Sequence, residues 1–190
     1  MTRVHLPSDA EIRALHERLA PDADAFELVY THCEIVAGIA AGLAGPALDA
    51  GLVRAGCLVH DIGVYRLDGP YIRHGVIGYG IMRELGFSEA LSRFCARHTG
   101  VGITRDDIAR AGLPLPPGDY VAETAEERLV MYADKFHSKT SPPAFVTAAT
   151  YLREIGRFGP DKAAAFAAMV AEYGEPDLAP MAAAYGHVIR

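Results

Sequence analysis

Four histidines and two aspartates fall on or beside apolar helical faces, where a plain core would place Leu or Ile. Helix faces repeat at i, i+3, i+4 and i+7. His32 is followed on its face by Ile35, Val36, Ile39 and Ala40, and His74 by Ile77, Gly78 and Ile81. His60 is preceded by Val53, Gly56 and Cys57, His98 by Leu91, Phe94 and Cys95, and Asp134 by Val130 and Met131. Asp61 adjoins His60 at a helix end. Burying these groups without partners would be expensive, the carboxylates most of all. A bound cation resolves the problem, because neutral imidazole nitrogen and carboxylate oxygen suit Fe, Mn, Zn, Co or Ni. One such histidine alone would read as a hydrogen-bonded core residue. Ligand-type residues delivered from several helices into one bundle core read as a metal site. His5, His16 and His187 lie nearer the chain ends without a comparable pattern and read as surface residues.

The elements that must position these groups are helical almost throughout. Ser8 with Glu11 forms a capping box opening a helix through about Leu19, where Pro21 breaks it. A second helix is expected over 25–43, and a third, with Pro46 in its first turn, to about His60. A loop over 62–70 precedes a helix over 71–85, stopped by Gly86, and Ser88 caps another to about His98. Thr104 caps a turn or two through Arg110, and the Pro-rich stretch 112–118 reads as an ordered surface loop, a rim rather than a catalytic element. Thr124 with Glu127 opens a helix to about His137; Ser141 and Pro142 start one to about Arg157. An Ala-rich helix then runs from Gly159-Pro160 to Gly174, and Pro176 opens a last one. No stretch shows strand alternation. The expectation is an all-α chain of one domain over 1–190.

Composition limits the function classes. The 190 residues carry a net charge of −6, with 51% hydrophobic and 22% charged residues, which is globular usage. The acidic balance offers no general attraction to duplex nucleic acid or to an anionic membrane. The longest uncharged stretch, 35–48, is shorter than the ~20 residues that span a bilayer, and no signal peptide is evident. Cys33, Cys57 and Cys95 form no C-x-x-C and read as reduced thiols of a cytoplasmic protein. A chain of this length folds without a structural metal, so a metal here would serve chemistry. The Ala- and Gly-rich helices would let a second copy pack closely, as in a homodimer.

His32, then His60-Asp61-Ile62-Gly63, then Asp134 resembles the H…HD…D signature of the HD superfamily of metal-dependent phosphohydrolases, the doublet being in its HDIG form. The resemblance covers about 31–139, including "RHGVIGYGIMRELG", "RHTGVGIT" and "YADKFHSKT", and leaves 142–190 as extra C-terminal helices. It implies an HD-domain helical bundle. His32, His60, Asp61 and Asp134 match the ligands of one metal, and His74 and His98 match those of a second, with Asp61 bridging. Two divalent transition metals per chain follow, Fe or Mn first, with Zn, Co or Ni also compatible. Thr99 stands where the HD-GYP branch has a further histidine, so that branch fits poorly, and "HTG" is similar to HD proteins that cleave dinucleoside polyphosphates.

The implied activity is hydrolysis of a phosphoester or phosphoanhydride, on a small phosphorylated substrate of nucleotide type. A metal lowers the pKa of bound water from ~15.7 to near 7 and polarises the phosphoryl oxygen. Water activated in this way beside Asp61 would attack phosphorus in line. Lys135 is the first choice for a cation on the substrate. Arg73 and Arg97 also adjoin ligand positions but read as surface residues, since neighbours on a helix diverge by about 100°. His137, one turn after Asp134, suits either a support or proton-donor role or a plain helix end, and Tyr65 and Arg66 could border the pocket. Two alternatives remain. Di-iron oxygenases resembling myo-inositol oxygenase share this ligand order, and degenerate HD modules bind or regulate without catalysis. The HDIG word and the Lys after the last Asp favour the hydrolase, and retention of all six positions argues against degeneration.

Overall fold

The computed structural model describes residues 6–190; His5, expected at the surface, lies outside them. Ten α-helices occur among the described residues, joined by short 3-10 turns and one small sheet. α1 (Asp9–Leu19) starts on the expected Ser8–Glu11 capping box, and α2 (Ala23–Leu43) on the Asp22 side chain, two residues earlier than the apolar pattern suggested. α2 is long and apolar enough to cross a bilayer by composition alone. Its apolar residues, Ile35, Val36 and Ile39 among them, are instead buried in the core.

α3 (Ala50–Val59) begins later than expected. Pro46 is not in its first turn; the Asp49 carboxylate caps Leu52 N–H, and a side-chain acceptor outcompetes proline as the starting signal. After α3 the expected loop is a 3-10 turn, Ile62–Arg66, and a second such turn, Tyr71–Arg73, leads into α4 (His74–Glu84). α5 (Glu89–Arg97) is capped by Ser88, and α6 (Arg105–Ala111) by a Thr104–Asp107 box. The Pro-rich stretch after it is ordered: Leu115 joins Ile103 and Ile108 in a small apolar cluster.

α7 (Ala125–Ala133) starts on the Thr124–Glu127 capping box but ends at Ala133, passing through a 3-10 turn, Asp134–Phe136. His137 is therefore not in the helix. It is extended (φ −143°, ψ 136°) and begins β1 (His137–Ser138). β1 pairs antiparallel with β2 (Ala144–Phe145), which pairs parallel with β3 (Val188–Ile189). No strand was expected from sequence, since two-residue strands are too short to alternate. α8 (Ala148–Ile155) is capped by Thr147 rather than starting at Ser141-Pro142, which precede β2. α9 (Pro160–Tyr173) lies as expected; α10 (Ala179–Tyr185) starts three residues beyond Pro176.

The main core joins α1, α2, α3, α5 and α7 around Ile35, Leu58, Phe94, Leu129 and Tyr132, and extends to Phe166 and Met169 of α9. α4 lies between the first 3-10 turn and α5. It gets close because Gly63, Gly75 and Gly78 offer no side chain at the contacts: a Cβ on Gly63 would sit 2.0 Å from the His74 carbonyl oxygen, and one on Gly75 2.6 Å from that of Cys95.

Candidate metal centre

Each ligand-type residue arrives from a defined place. His32 lies mid-way along α2. His60 caps the end of α3, and Asp61 follows it. His74 opens α4, His98 caps the end of α5, and Asp134 caps the end of α7. All six come together. His32 Nε2 lies 3.0 Å from Asp134 Oδ1 and 3.3 Å from Asp61 Oδ2, and His60 Nε2 lies 3.4 and 3.5 Å from the same two oxygens. On the other side, His74 Nε2 and His98 Nε2 lie 3.3 and 3.4 Å from Asp61 Oδ1. The Asp61 carboxylate thus turns one oxygen toward each histidine pair.

The hydrogen bonds on the far sides of the rings decide what the near sides can do. His60 Nδ1 donates to Cys57 O (2.6 Å), His74 Nδ1 to Tyr71 O (2.6 Å) and His98 Nδ1 to Phe94 O (3.1 Å). A carbonyl only accepts, so each Nδ1 carries a proton, and each ring, when neutral, presents a bare Nε2 lone pair. His32 Nε2 and His60 Nε2 lie 3.2 Å apart, and His74 Nε2 and His98 Nε2, both rings backed by carbonyls, only 2.8 Å. Lone pairs converging at this range repel unless a cation lies between them. Asp61 Oδ1 is buried and has no hydrogen-bond donor. This donor set fits divalent metal, with His32, His60, Asp61 and Asp134 around one position and Asp61, His74 and His98 around the other.

The electrostatics agree. Burial pushes His32 and His98 down to about 4. Burial also lowers His60, but Asp61, Cys33 and Asp134 together overcome it and hold it well above the usual histidine range, so in the absence of a metal a proton takes the cation's place on His60. Burial raises Asp61 and Asp134; Lys139 and His60 for the first, and Lys135 and His32 for the second, overcome it and hold both carboxyls well below the usual carboxylate range. The cluster draws positive charge from every side.

Other sequence expectations fare differently. Lys135 is buried, with Nζ 2.8 Å from His98 O and 2.5 Å from Asp134 Oδ2, so it braces two ligand segments at the floor of the cleft. Arg73 is exposed, and Arg97 pairs with Glu123 at 2.8 Å; neither lines the cleft. Tyr65 and Arg66 do not border it either. Tyr65 Oη bonds His16 Nδ1 (2.8 Å), and Arg66 pairs with Glu84 on the surface. His16 is a correction: it is fully buried, with Nε2 donating to Leu58 O (2.7 Å). It follows Ile12 and Leu15 on the buried face of α1, the same spacing that marks the ligand histidines. His187 is also not a surface residue; it is partly buried against His137.

The residue that sequence reasoning missed is Lys139, whose ammonium pairs with Asp61 Oδ2 and lines the cleft beside Tyr71, Thr99 and Gly100. Its partner lies 78 positions away, so nothing local signals it. The cleft over Asp61, His74 and His98 has a volume of about 260 Å³. A second cavity of about 480 Å³, reached past Tyr71 and Lys139, is lined by Ser138, Thr140, Tyr151 and Arg190.

The family model for the HD domain matches residues 29–139, more than half of the chain. The chain belongs to the HD-domain family. Among curated relatives, the uncharacterized protein MJ0778 of Methanocaldococcus jannaschii is 46% identical over 114 residues, covering 57% of this chain and 65% of that one. A tRNA (cytidine(56)-2'-O)-methyltransferase of Picrophilus torridus is 38% identical over 60% of this chain and 33% of its own length. The corresponding enzyme of Thermoplasma volcanium is 36% identical over 58% and 32%. The chain thus spans less than two thirds of the curated relatives it matches. Two crystal structures of the HD domain of the L. monocytogenes phosphodiesterase PgpH share the fold. One has a TM-score of 0.51 at 16% identity, over 85% of this chain and 83% of that one. The other, in complex with cyclic-di-AMP, has a TM-score of 0.50 at 15% identity, over 85% and 96%.

Proposed function

We propose that this HD-domain protein is a metal-dependent phosphohydrolase that cleaves a phosphoester or phosphoanhydride of a nucleotide-type substrate, using two divalent transition metals, Fe or Mn in first place. One observation carries the reading: Asp61 turns one oxygen to His32 and His60 and the other to His74 and His98, while the bare Nε2 lone pairs of His74 and His98 face each other at 2.8 Å. Metal bound there supplies a water nucleophile at neutral pH and charge relief on phosphoryl oxygen. The chain's own residues do the rest. Asp61 holds both halves of the centre in register and offers an acceptor for the proton of attacking water. Lys139 stands over Asp61 at the cleft, where its ammonium can meet a phosphoryl oxygen. Lys135 fixes Asp134 and the end of α5 rather than touching substrate. The two joined cavities leave room for the leaving group beside the reacting phosphorus.

The nucleotide-type substrate draws support from the cyclic-di-AMP bound by a structural neighbour. The relatives in which the matched segment is a third of a tRNA methyltransferase favour a second reading, an accessory HD module. Retention of all six ligand positions weighs against it. The three cysteines are free and buried, which fits our placement of the protein in the cytoplasm.

Elemental analysis of protein purified without added metal or chelator, together with hydrolysis of bis(p-nitrophenyl) phosphate and a nucleotide panel, tests the proposal. The expected result is about two metals per chain and phosphate-ester turnover lost in Asp61→Asn. Protein that takes up no metal on titration would refute it. Two irons with dioxygen consumption and no hydrolysis would replace it by the oxygenase reading.

A further inference from the structure

Among the four ligand histidines, His32 alone has no carbonyl behind it. Its Nδ1 lies 2.9 Å from His137 Nδ1, and His137 Nε2 lies 3.0 Å from His187 Nδ1. His32 and His137 are buried, and the His137 and His187 rings stack at 5.2 Å and 21°. The small sheet fixes this row. His137 pairs with Phe145, Phe145 pairs with Ile189 two residues beyond His187, and Arg190 N–H donates to Phe145 O (3.0 Å).

A row of imidazoles has a direction. For His32 to present a bare Nε2, as the other three ligands do, its proton must sit on Nδ1 and be donated to His137 Nδ1. His137 then carries its proton on Nε2 and donates it to His187 Nδ1. Every ring stays neutral and every contact pairs one donor with one acceptor. The opposite arrangement places a proton on His32 Nε2, aimed at Asp134 Oδ1 3.0 Å away, and closes that position to a cation. Partners behind a ligating histidine fix its tautomer and orientation.

We propose that His137 and His187 are positioning residues for the metal centre, holding His32 in its ligating tautomer. The segment beyond residue 139, outside the family-matched region, thereby becomes part of the centre's support. This rests on the metal-binding reading above and adds to it that the fourth histidine depends on residues from the C-terminal sheet.

The test is Mn²⁺ titration of metal-free protein, read as affinity, with urea denaturation of the same samples to check folding. His137→Phe keeps a ring but removes the acceptor; the expected loss is about 10–100-fold in affinity. His137→Asn returns an acceptor near the Nδ1 position and is expected to recover most of it. His187→Phe, at a partly exposed site, is expected to weaken binding in the same direction and decides the matter if His137→Phe does not fold. Wild-type affinity in both Phe variants overturns the proposal, as does an equal loss in His137→Phe and His137→Asn. Wild-type protein that binds no Mn²⁺ overturns the metal-binding reading itself, a separate outcome.

Discussion

Gly63 of the HDIG motif tests whether the centre's two halves are separable. A Cβ built there would lie 2.0 Å from His74 O, 2.4 Å from Gly78 N and 2.8 Å from Gly78 Cα. All three are backbone atoms of α4, so no side-chain rotation relieves the clash. Ordinary contact starts near 3.4 Å, which requires the 3-10 turn and α4 to separate by about 1.4 Å along the tightest contact. α4 cannot retreat, because Gly75 and Gly78 already press it against Cys95 of α5. Overpacking costs typically 1–3 kcal/mol, and a clash with unyielding backbone belongs at the upper end, about 3 kcal/mol. Gly80, in the same helix with nothing within 4 Å of its Cβ position, is the control: Gly80→Ala should stabilise by about 0.5–1 kcal/mol. Urea denaturation of metal-free protein reads both signs. The displacement also carries Asp61 away from His74, now 3.3 Å apart, while His32, His60 and Asp134 stand on α2, α3 and α7. Metal content of Gly63→Ala should therefore fall toward one per chain, the His74–His98 position emptying first. A Gly63→Ala protein within 0.5 kcal/mol of wild type and still holding two metals would refute the reasoning.

Three further outcomes follow from the same geometry. Lys139→Met removes the ammonium that pairs with Asp61; Mn²⁺ should bind at least as tightly as in wild type while kcat/KM for a phosphodiester falls at least tenfold, and a parallel fall in both would show that Lys139 supports the fold instead. Metal-free protein should lose stability as pH falls from about 6.5 to about 4: burial pushes His16 down to about 4, so the unfolded chain takes up a proton that the folded chain refuses, worth about 3 kcal/mol by pH 4. His16→Leu should remove the His16 share of that slope in urea titrations at pH 7 and pH 4.5, leaving the part that the equally lowered His32 and His98 contribute, and an unchanged slope would count against it. Phe158, 73% exposed, borders a further cavity of about 220 Å³ that adjoins the cleft at Ile72, Thr99 and Gly100; Phe158→Ala should raise KM for a nucleotide but not for ribose 5-phosphate, and equal effects on the two would exclude a base-stacking role.

What could be read in the sequence was set by how locally each feature is encoded. The ligand histidines stood out because each interrupts an apolar stripe within its own helix, and the capping boxes at Ser8 and Thr124 because donor and acceptor lie three residues apart; Thr104 was legible as a cap, without its Asp107 partner. His16 carried the same stripe signal and was set aside for its place near the N-terminus, although Ile12 and Leu15 share its face. Pro46 and Ser141-Pro142 misled because proline permits a helix start without compelling one, whereas the Asp49 and Thr147 side chains satisfy N–H groups directly. Lys139 and His187 could not be found at all, since Asp61 and His137 lie 78 and 50 positions from them.

The same contrast explains why one histidine of four needs distant help. The last four carbonyls of a helix lack an intrahelical donor. His60 and His98 stand at the ends of α3 and α5, and their Nδ1 protons reach Cys57 O and Phe94 O within those final turns. His74, at the start of α4, uses Tyr71 O of the turn before it. Their tautomers are set by backbone three or four residues away and travel with the motif. His32 sits in the middle of the 21-residue α2, where the carbonyls already serve the helix. A ligand placed mid-helix reaches the centre from the rigid part of the bundle, but must find its orienting acceptor elsewhere. Here the acceptor is His137, freed to point at α2 because α7 ends at Ala133 and the chain turns extended. The early end of α7, unexpected from the sequence, is therefore what brings the HD signature and the C-terminal sheet together at His32.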